Sequence, residues 1–247
     1  MSPEEAQSVP NTVWSYWESD RPGLPPIVQI CVKSWSSVGA AASVNFLTPD
    51  TLYDYLQPTD LPRQFDQMPP VKKANAVRLA VLALYGGHWC DAGVLLTAPI
   101  SPWIAQRSAA PGFFVFRDVD RSRVLDTWFI SATPASLFLQ EWANQYKRFF
   151  DRNRMHEAHS LYKTPSRIAT HIIVLINRLL RKSPARIALW ARPPLSLFPM
   201  YPYFIMHYIA NGLLRDKTLR EEFDSMSKIL AARALAMRTL FRFGIAK

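Results

Sequence analysis

Through the first 150 residues of this chain, short runs of crowded apolar residues alternate with longer runs at helical spacing. Asn11 to Trp17 is short and rich in β-formers, and it predicts a first strand. Pro25-Pro26 suits the start of a helix that runs to about Ser37, with Ile27, Ile30, Cys31 and Trp35 on a helical repeat. Ser43 to Leu47 predicts a second strand, after which Asp50 caps or opens a short helix through Tyr55. Strand, helix, strand is the unit from which parallel sheets with nucleotide sites are built.

The clearest helix runs from about Val71 to Tyr85, closed by Gly86-Gly87. Ala74, Val77, Val81, Leu82 and Tyr85 lie on or near one face, with Asn75 and Arg78 three apart on another. His88 to Asp91 then reads as a short buried strand ending in a carboxylate, and Val94 to Thr97 as further extended chain. Phe113–Phe116 and Thr127–Ile130 are two more predicted strands, followed by an amphipathic helix from Pro134 to Phe150. Beyond it the pattern is mostly helical, broken at Pro165, Pro184 and Pro193-Pro194. These elements predict an α/β fold with a mixed, mainly parallel sheet flanked by helices. They divide the chain into a domain over residues 1–150 and a helical, basic extension over 151–247.

Composition narrows the class. The 247 residues are 49% hydrophobic and 19% charged, enough to bury a core, and the 8 glycines and 20 prolines form no repeat. Cys31 and Cys90 are the only cysteines and make no CxxC, which excludes a disulfide framework and a zinc knuckle and suggests a reducing compartment. Met1 to Pro10 carries Glu4 and Glu5 and no apolar run, unlike a targeting peptide. The longest apolar stretches, 79–85 and 168–180, fall well short of the ~20 residues that span a bilayer.

The charge is uneven. Residues 1–143 hold 10 basic and 13 acidic side chains, net −3, whereas 144–247 hold 19 and 6, net +13. In that second part Ile172, Ile176 and Leu180 interleave with Arg178, Arg181, Lys182 and Arg186, and Trp190, Phe198, Tyr201 and Tyr203 follow. Such a mixture suits an interfacial surface on anionic lipid, or a core helix with a solvated basic edge. No nucleic-acid motif accompanies it, and no nucleic-acid partner is expected.

The chemistry concentrates in Val71–Trp103. An arginine on a helix packed against a sheet can serve sugar hydroxyls or a diphosphate. A carboxylate at a strand's carboxyl end sits where open α/β sheets bind ligands. Asp91, set among apolar residues, needs a partner, and a divalent cation is one solution.

Four segments carry a resemblance: residues 9–35 (VPNTVWSYWESDRPGLPPIVQICVKSW), 77–104 (VRLAVLALYGGHWCDAGVLLTAPISPWI), 126–142 (DTWFISATPASLFLQEW) and 201–214 (YPYFIMHYIANGLL). In that order they resemble the DxD-motif sugar transferases of the capsular-polysaccharide-synthesis type, relatives of initiating mannosyltransferases and, more distantly, of clostridial glucosylating toxins. The resemblance implies a GT-A-like, nucleotide-sugar-binding domain. It implies a hexosyltransferase that moves a sugar from a nucleotide-sugar donor to a hydroxyl of a glycan or lipid-linked acceptor, with retention. Trp14 would border the base, Asn75 and Arg78 the donor sugar or diphosphate, and Trp128 the floor beneath the sugar. Asp91 would be the motif's first acid, reaching ribose, sugar or metal, and His207 would lie near the diphosphate or acceptor. The implied cofactor is a divalent cation, Mn2+, held at Asp91. The expected location, from the lack of a targeting peptide, is cytoplasmic, and the basic, aromatic second part places it peripherally at an anionic membrane surface.

Two positions depart from the pattern: Asn75 stands where the family usually has Asp, and Gly93 replaces the second motif acid. A glycine binds no metal through a side chain. These departures keep open a degenerate protein that binds nucleotide sugar or glycan without turnover, beside a peripheral membrane scaffold. Plainer roles also stand beside each residue. Trp14 and Trp17 could pack the sheet, Arg78 could pair with Asp54 or Asp60, Asp91 could cap the following turn, and His207 could be an ordinary core or surface histidine. Asp126 reads as a turn residue, and His156 and His159 as part of a solvated loop despite their i, i+3 spacing.

Overall fold

The computed structural model describes residues 8–18, 23–37, 43–105, 113–117, 124–152, 205–225 and 227–230. Its strands are β1 (Thr12–Tyr16), β2 (Ser43–Leu47), β3 (Gly87–Cys90), β4 (Phe113–Arg117), β5 (Phe129–Ala132) and β6 (Ser227–Leu230). Its helices are α1 (Pro26–Ser37), α2 (Pro70–Tyr85), α3 (Ile100–Ala105), α4 (Leu137–Arg152), α5 (Ile205–Leu213) and α6 (Lys217–Ser225). The sheet order is β2-β1-β3-β5-β4-β6. Pairings β1–β2, β1–β3 and β4–β6 are parallel, and β3–β5 and β4–β5 antiparallel, so the sheet is mixed as expected.

Alternation along the strands feeds two cores. Trp14, Tyr16, Trp89, Val115 and Ile130 face a core shared with α2, α4, α5 and Phe223 of α6. Val13, Cys90, Phe114, Phe116 and Phe129 face a second core covered by Trp35 of α1 and Ile100 and Ile104 of α3. The result is a three-layer α/β/α arrangement, with both sheet faces covered. Buried indoles place their N–H groups on acceptors: Trp35 on the Val94 carbonyl at 2.7 Å, Trp142 on that of Met206 at 2.9 Å.

The α2 helix is buried along most of its length from Lys72 to Leu82, because it lies between the sheet and α4. Pro70 fits its first turn, where a missing N–H costs nothing. Gly86 and Gly87 then take φ of +65° and +96°, and a Cβ at Gly86 would lie 2.7 Å from Pro134 Cδ. Glycine is therefore required both by conformation and by contact. The α4 helix buries Phe138, Leu139, Trp142, Tyr146, Phe149 and Phe150 along one stripe. Its first turn is held by Ser136, whose hydroxyl accepts from the Leu139 amide at 3.2 Å, and by Glu222 of α6, which accepts from the Phe138 amide at 2.9 Å.

Several boundaries differ from the sequence pattern. β5 begins two residues later than expected, because Thr127 and Trp128 form a bend before the pairing with β3. α4 begins at Leu137, since the chain first turns at Pro134 to reach its cap. The expected helix from Asp50 is only a 3-10 turn at Leu52–Asp54, organised by Thr51, whose hydroxyl accepts from the Thr48 amide at 3.0 Å. Val94–Thr97, expected as extended chain, lies outside any helix and pairs with no strand, in keeping with that reading. The basic, aromatic run over 168–204, the helix breaks at Pro165, Pro184 and Pro193-Pro194, and His156 and His159 all lie outside the described residues.

Candidate active site at the carboxyl end of β3

Strand β3 delivers Asp91 at its carboxyl end, as its pattern predicts. The Asp91 amide donates to the Trp128 carbonyl at 2.9 Å, which carries the β3–β5 ladder one residue past the strand. The Val94 amide then donates to the Asp91 carbonyl at 2.8 Å. The turn is thus closed by the backbone, and the Asp91 side chain is released for another task. Its Oδ1 accepts from Arg78 Nη2 and from Trp89 Nε1, the latter at 2.7 Å. Trp89 and Asp91 can share this contact because residues two apart on a strand face the same way.

Arg78 is 4% exposed, whereas the Asp91 side chain is 42% exposed. The guanidinium lies 4.9 Å from the Trp89 ring centroid, a cation–π contact. Its Nη1 donates to Asn75 Oδ1 at 3.2 Å and lies 3.7 Å from Met206 Sδ, and its Nε has no acceptor. Arg78 pairs with neither Asp54 nor Asp60, and it is not a surface cation. A buried guanidinium with one ionic partner, one amide acceptor, an aromatic face and an Nε–H left without an acceptor keeps donor capacity, which suits an additional anionic or hydroxyl-rich ligand.

The remaining expected residues fall in different places. Asn75 is buried beside Arg78 on the same helix. Trp128 is half-buried, stacks on Phe116 at 4.4 Å, and is tied to Asp91 through its backbone. His207 lies on α5 next in chain to Met206, the residue that reaches Arg78. Trp14 sits within β1, 4% exposed, with Tyr85 stacked at 5.5 Å, Tyr55 edge-on at 5.2 Å and its Nε1 on the Gly86 carbonyl at 2.9 Å. That position matches the sheet-packing role and offers no free face to a base. Asp126 donates its amide to the Phe116 carbonyl at 2.7 Å, within the connection between β4 and β5.

The donor set around Asp91 does not by itself fit a divalent cation. One carboxylate oxygen already accepts from Arg78 and Trp89, and residue 93 is glycine. No group of three or more His, Cys, Asp or Glu side chains among the described residues could hold an ion. A guanidinium pressed on the carboxylate also repels a second cation.

Trp89 and Met206 also touch the Arg78–Asp91 pair, and neither is among the residues that the sequence pattern marks. The i, i+2 relation of Trp89 to Asp91 was available as a signal. The separation of 128 positions between Arg78 and Met206 leaves no such trace.

Residues 1–170 match the family model described as capsular polysaccharide synthesis protein, a span that includes Asn75, Arg78, Asp91 and Trp128. An O-glycosyltransferase, braB of Annulohypoxylon truncatum, is 26% identical over 157 residues, which is 56% of this chain and 37% of that protein. The chain therefore spans little more than a third of that relative's length. A solved structure described as PaToxG glycosyltransferase is 11% identical with a TM-score of 0.45, over 84% of this chain and 87% of that one. With the family match covering well over half its length, the chain belongs to the capsular polysaccharide synthesis family.

Proposed function

We propose that the chain is a glycosyltransferase that moves a hexose from a nucleotide-sugar donor to a hydroxyl of a glycan or lipid-linked acceptor. The observation that carries this reading is the buried Arg78, its Nε–H left without an acceptor, paired with a half-exposed Asp91 at a strand's carboxyl end. Family membership and the O-glycosyltransferase relative support it.

In this reading Asp91 accepts hydrogen bonds from donor hydroxyls, and Asn75 and Arg78 contact the sugar or its diphosphate. Trp128 floors the sugar, and His207 lies toward the acceptor. As the bond from the anomeric carbon to the diphosphate breaks, the departing nucleoside diphosphate keeps the electron pair. Arg78 then neutralises part of the charge that develops. The acceptor oxygen bonds to the anomeric carbon on the same face, and its proton passes to the leaving phosphate oxygen. Retention by this front-face route is favoured over a covalent intermediate on Asp91, because a carboxylate already bound to Arg78 and Trp89 is a weak nucleophile. Positioning supplies the rest of the rate.

The test is release of nucleoside diphosphate from a panel of nucleotide sugars with a glycan or lipid-linked acceptor. One donor is expected to turn over, and Asp91→Asn or Arg78→Met to slow it about a hundredfold. Turnover unaffected by both substitutions would refute the site. A non-catalytic nucleotide-sugar-binding protein is the second reading, favoured by Gly93 and Asn75 where acids are usual. It requires a donor that binds without being consumed.

A further inference from the structure

A second polar constellation lies beside the first. Glu18, two residues past the end of β1, accepts from Lys73 Nζ on Oε1 at 2.6 Å and from the Tyr16 hydroxyl on Oε2. Lys73 lies near the start of α2 and also sits 5.5 Å from the Phe65 ring centroid. The Glu18 side chain keeps 23% of its surface exposed and Lys73 only 12%. Each Glu18 oxygen has one donor from the protein and so keeps acceptor capacity on its open side.

The topology sets this group against Asp91. From β1 the chain passes through α1 to β2 on one side, then through α2 to β3 on the other. The gap between the carboxyl ends of β1 and β3 is therefore the point where strand order reverses, and there open α/β sheets bind their ligands. Val13 pairs with His88 and Trp14 with Trp89, so continuing the register sets Tyr16 level with Asp91. The cations that tether the two carboxylates come from one helix. Lys73 and Arg78 are five residues apart, about 7.5 Å along its axis. A nucleotide sugar likewise carries two hydroxyl-rich rings, the sugar and the ribose, on either side of a diphosphate.

We propose that Glu18, oriented by Tyr16 and Lys73, accepts the hydroxyls of the donor's ribose and so selects ribonucleotides, while Asp91 and Arg78 serve the sugar end. This rests on the donor reading above and adds a specificity-determining residue to it. Glu18 is the residue that touches ligand, and Tyr16 and Lys73 are positioning residues.

The experiment is calorimetric titration of the full chain with UDP and GDP and with their 2′-deoxy counterparts. The wild type is expected to bind one ribonucleotide at least about tenfold more tightly than its deoxy form, the range of a hydrogen bond to a charged group. Glu18→Gln should bring that ratio close to one by weakening the ribose form alone. Tyr16→Phe keeps the carboxylate and should lower the ratio by a smaller factor, and it serves if Glu18→Gln does not fold. A merely structural ion pair would weaken both forms equally. An unchanged ratio in variants that still bind nucleotide overturns this inference and spares the donor reading. Failure of the wild type to bind any of the four nucleotides overturns both.

Discussion

Arg78 is enclosed and Asp91 is half exposed, so removing one partner differs from removing the other. Asp91→Asn leaves a guanidinium buried with no counter-charge, a loss of about 3 kcal/mol or more. Arg78→Met fills much the same volume with an apolar chain and leaves a carboxylate that reaches water, at about 1 kcal/mol. Urea denaturation should therefore rank Asp91→Asn as at least twice as destabilising, and equal losses would contradict the buried-cation description. At this scale a contact is legible in the sequence where a residue's partner is local. The strand predicted over His88–Asp91 delivers a carboxylate at its end, and Asn75 and Arg78 meet as i, i+3 neighbours. That Trp14 is walled in by Tyr55 and Tyr85 is not legible there, since an aromatic in a strand has the same spacing whether it packs or binds. Glu18 and Lys73, 55 residues apart, left no local signal.

The turn from α2 into β3 is the element on which the site depends, because it aims the helix that carries Arg78 at the strand that carries Asp91. Gly86→Ala would put a methyl 2.7 Å from Pro134 Cδ and 2.8 Å from the Ala132 carbonyl at a positive φ. A loss of about 3 kcal/mol is expected, with a large fall in melting temperature. Gly93→Ala has nothing within 4 Å of the added methyl and should be close to neutral. Thermal melts of the two variants read the contrast directly, and similar losses would mean that the turn is not the constraint. The glycine pair was legible because helix ends demand left-handed φ. The later start of β5 was not, because it depends on where β3 pairs rather than on local preference.

At the scale of the molecule, the β1–α1–β2 opening and the helix-to-strand passage into β3 were readable from period alone. The antiparallel placement of β5 between β3 and β4 comes from long-range pairing and was not. The buried His88, its Nδ1 2.6 Å from the Ser131 hydroxyl, is pushed down to about 4 by burial. That lies below its unfolded value of about 6.5. The unfolded chain therefore takes up the proton first, and the stability His88 contributes above pH 6.5 is lost as pH falls toward 4. Denaturation midpoints should drop over that window in the wild type and less steeply in His88→Gln, and parallel profiles would refute the assignment. The net charge of +13 over residues 144–247 against −3 before them motivates a second expectation. The chain should co-sediment with vesicles containing anionic lipid and not with neutral ones, and equal recovery would dismiss a membrane role for the basic half.

The most direct measurement is thermal stabilisation of the full chain by a panel of nucleotide sugars, with and without manganese, on the wild type and on Asp91→Asn. One donor is expected to raise the melting temperature of the wild type, since ligand at about 100 times its dissociation constant adds about 2.7 kcal/mol. The shift should be lost in Asp91→Asn. No shift with any donor, or an equal shift in both proteins, would contradict the placement of a nucleotide-sugar site at Asp91 and Arg78.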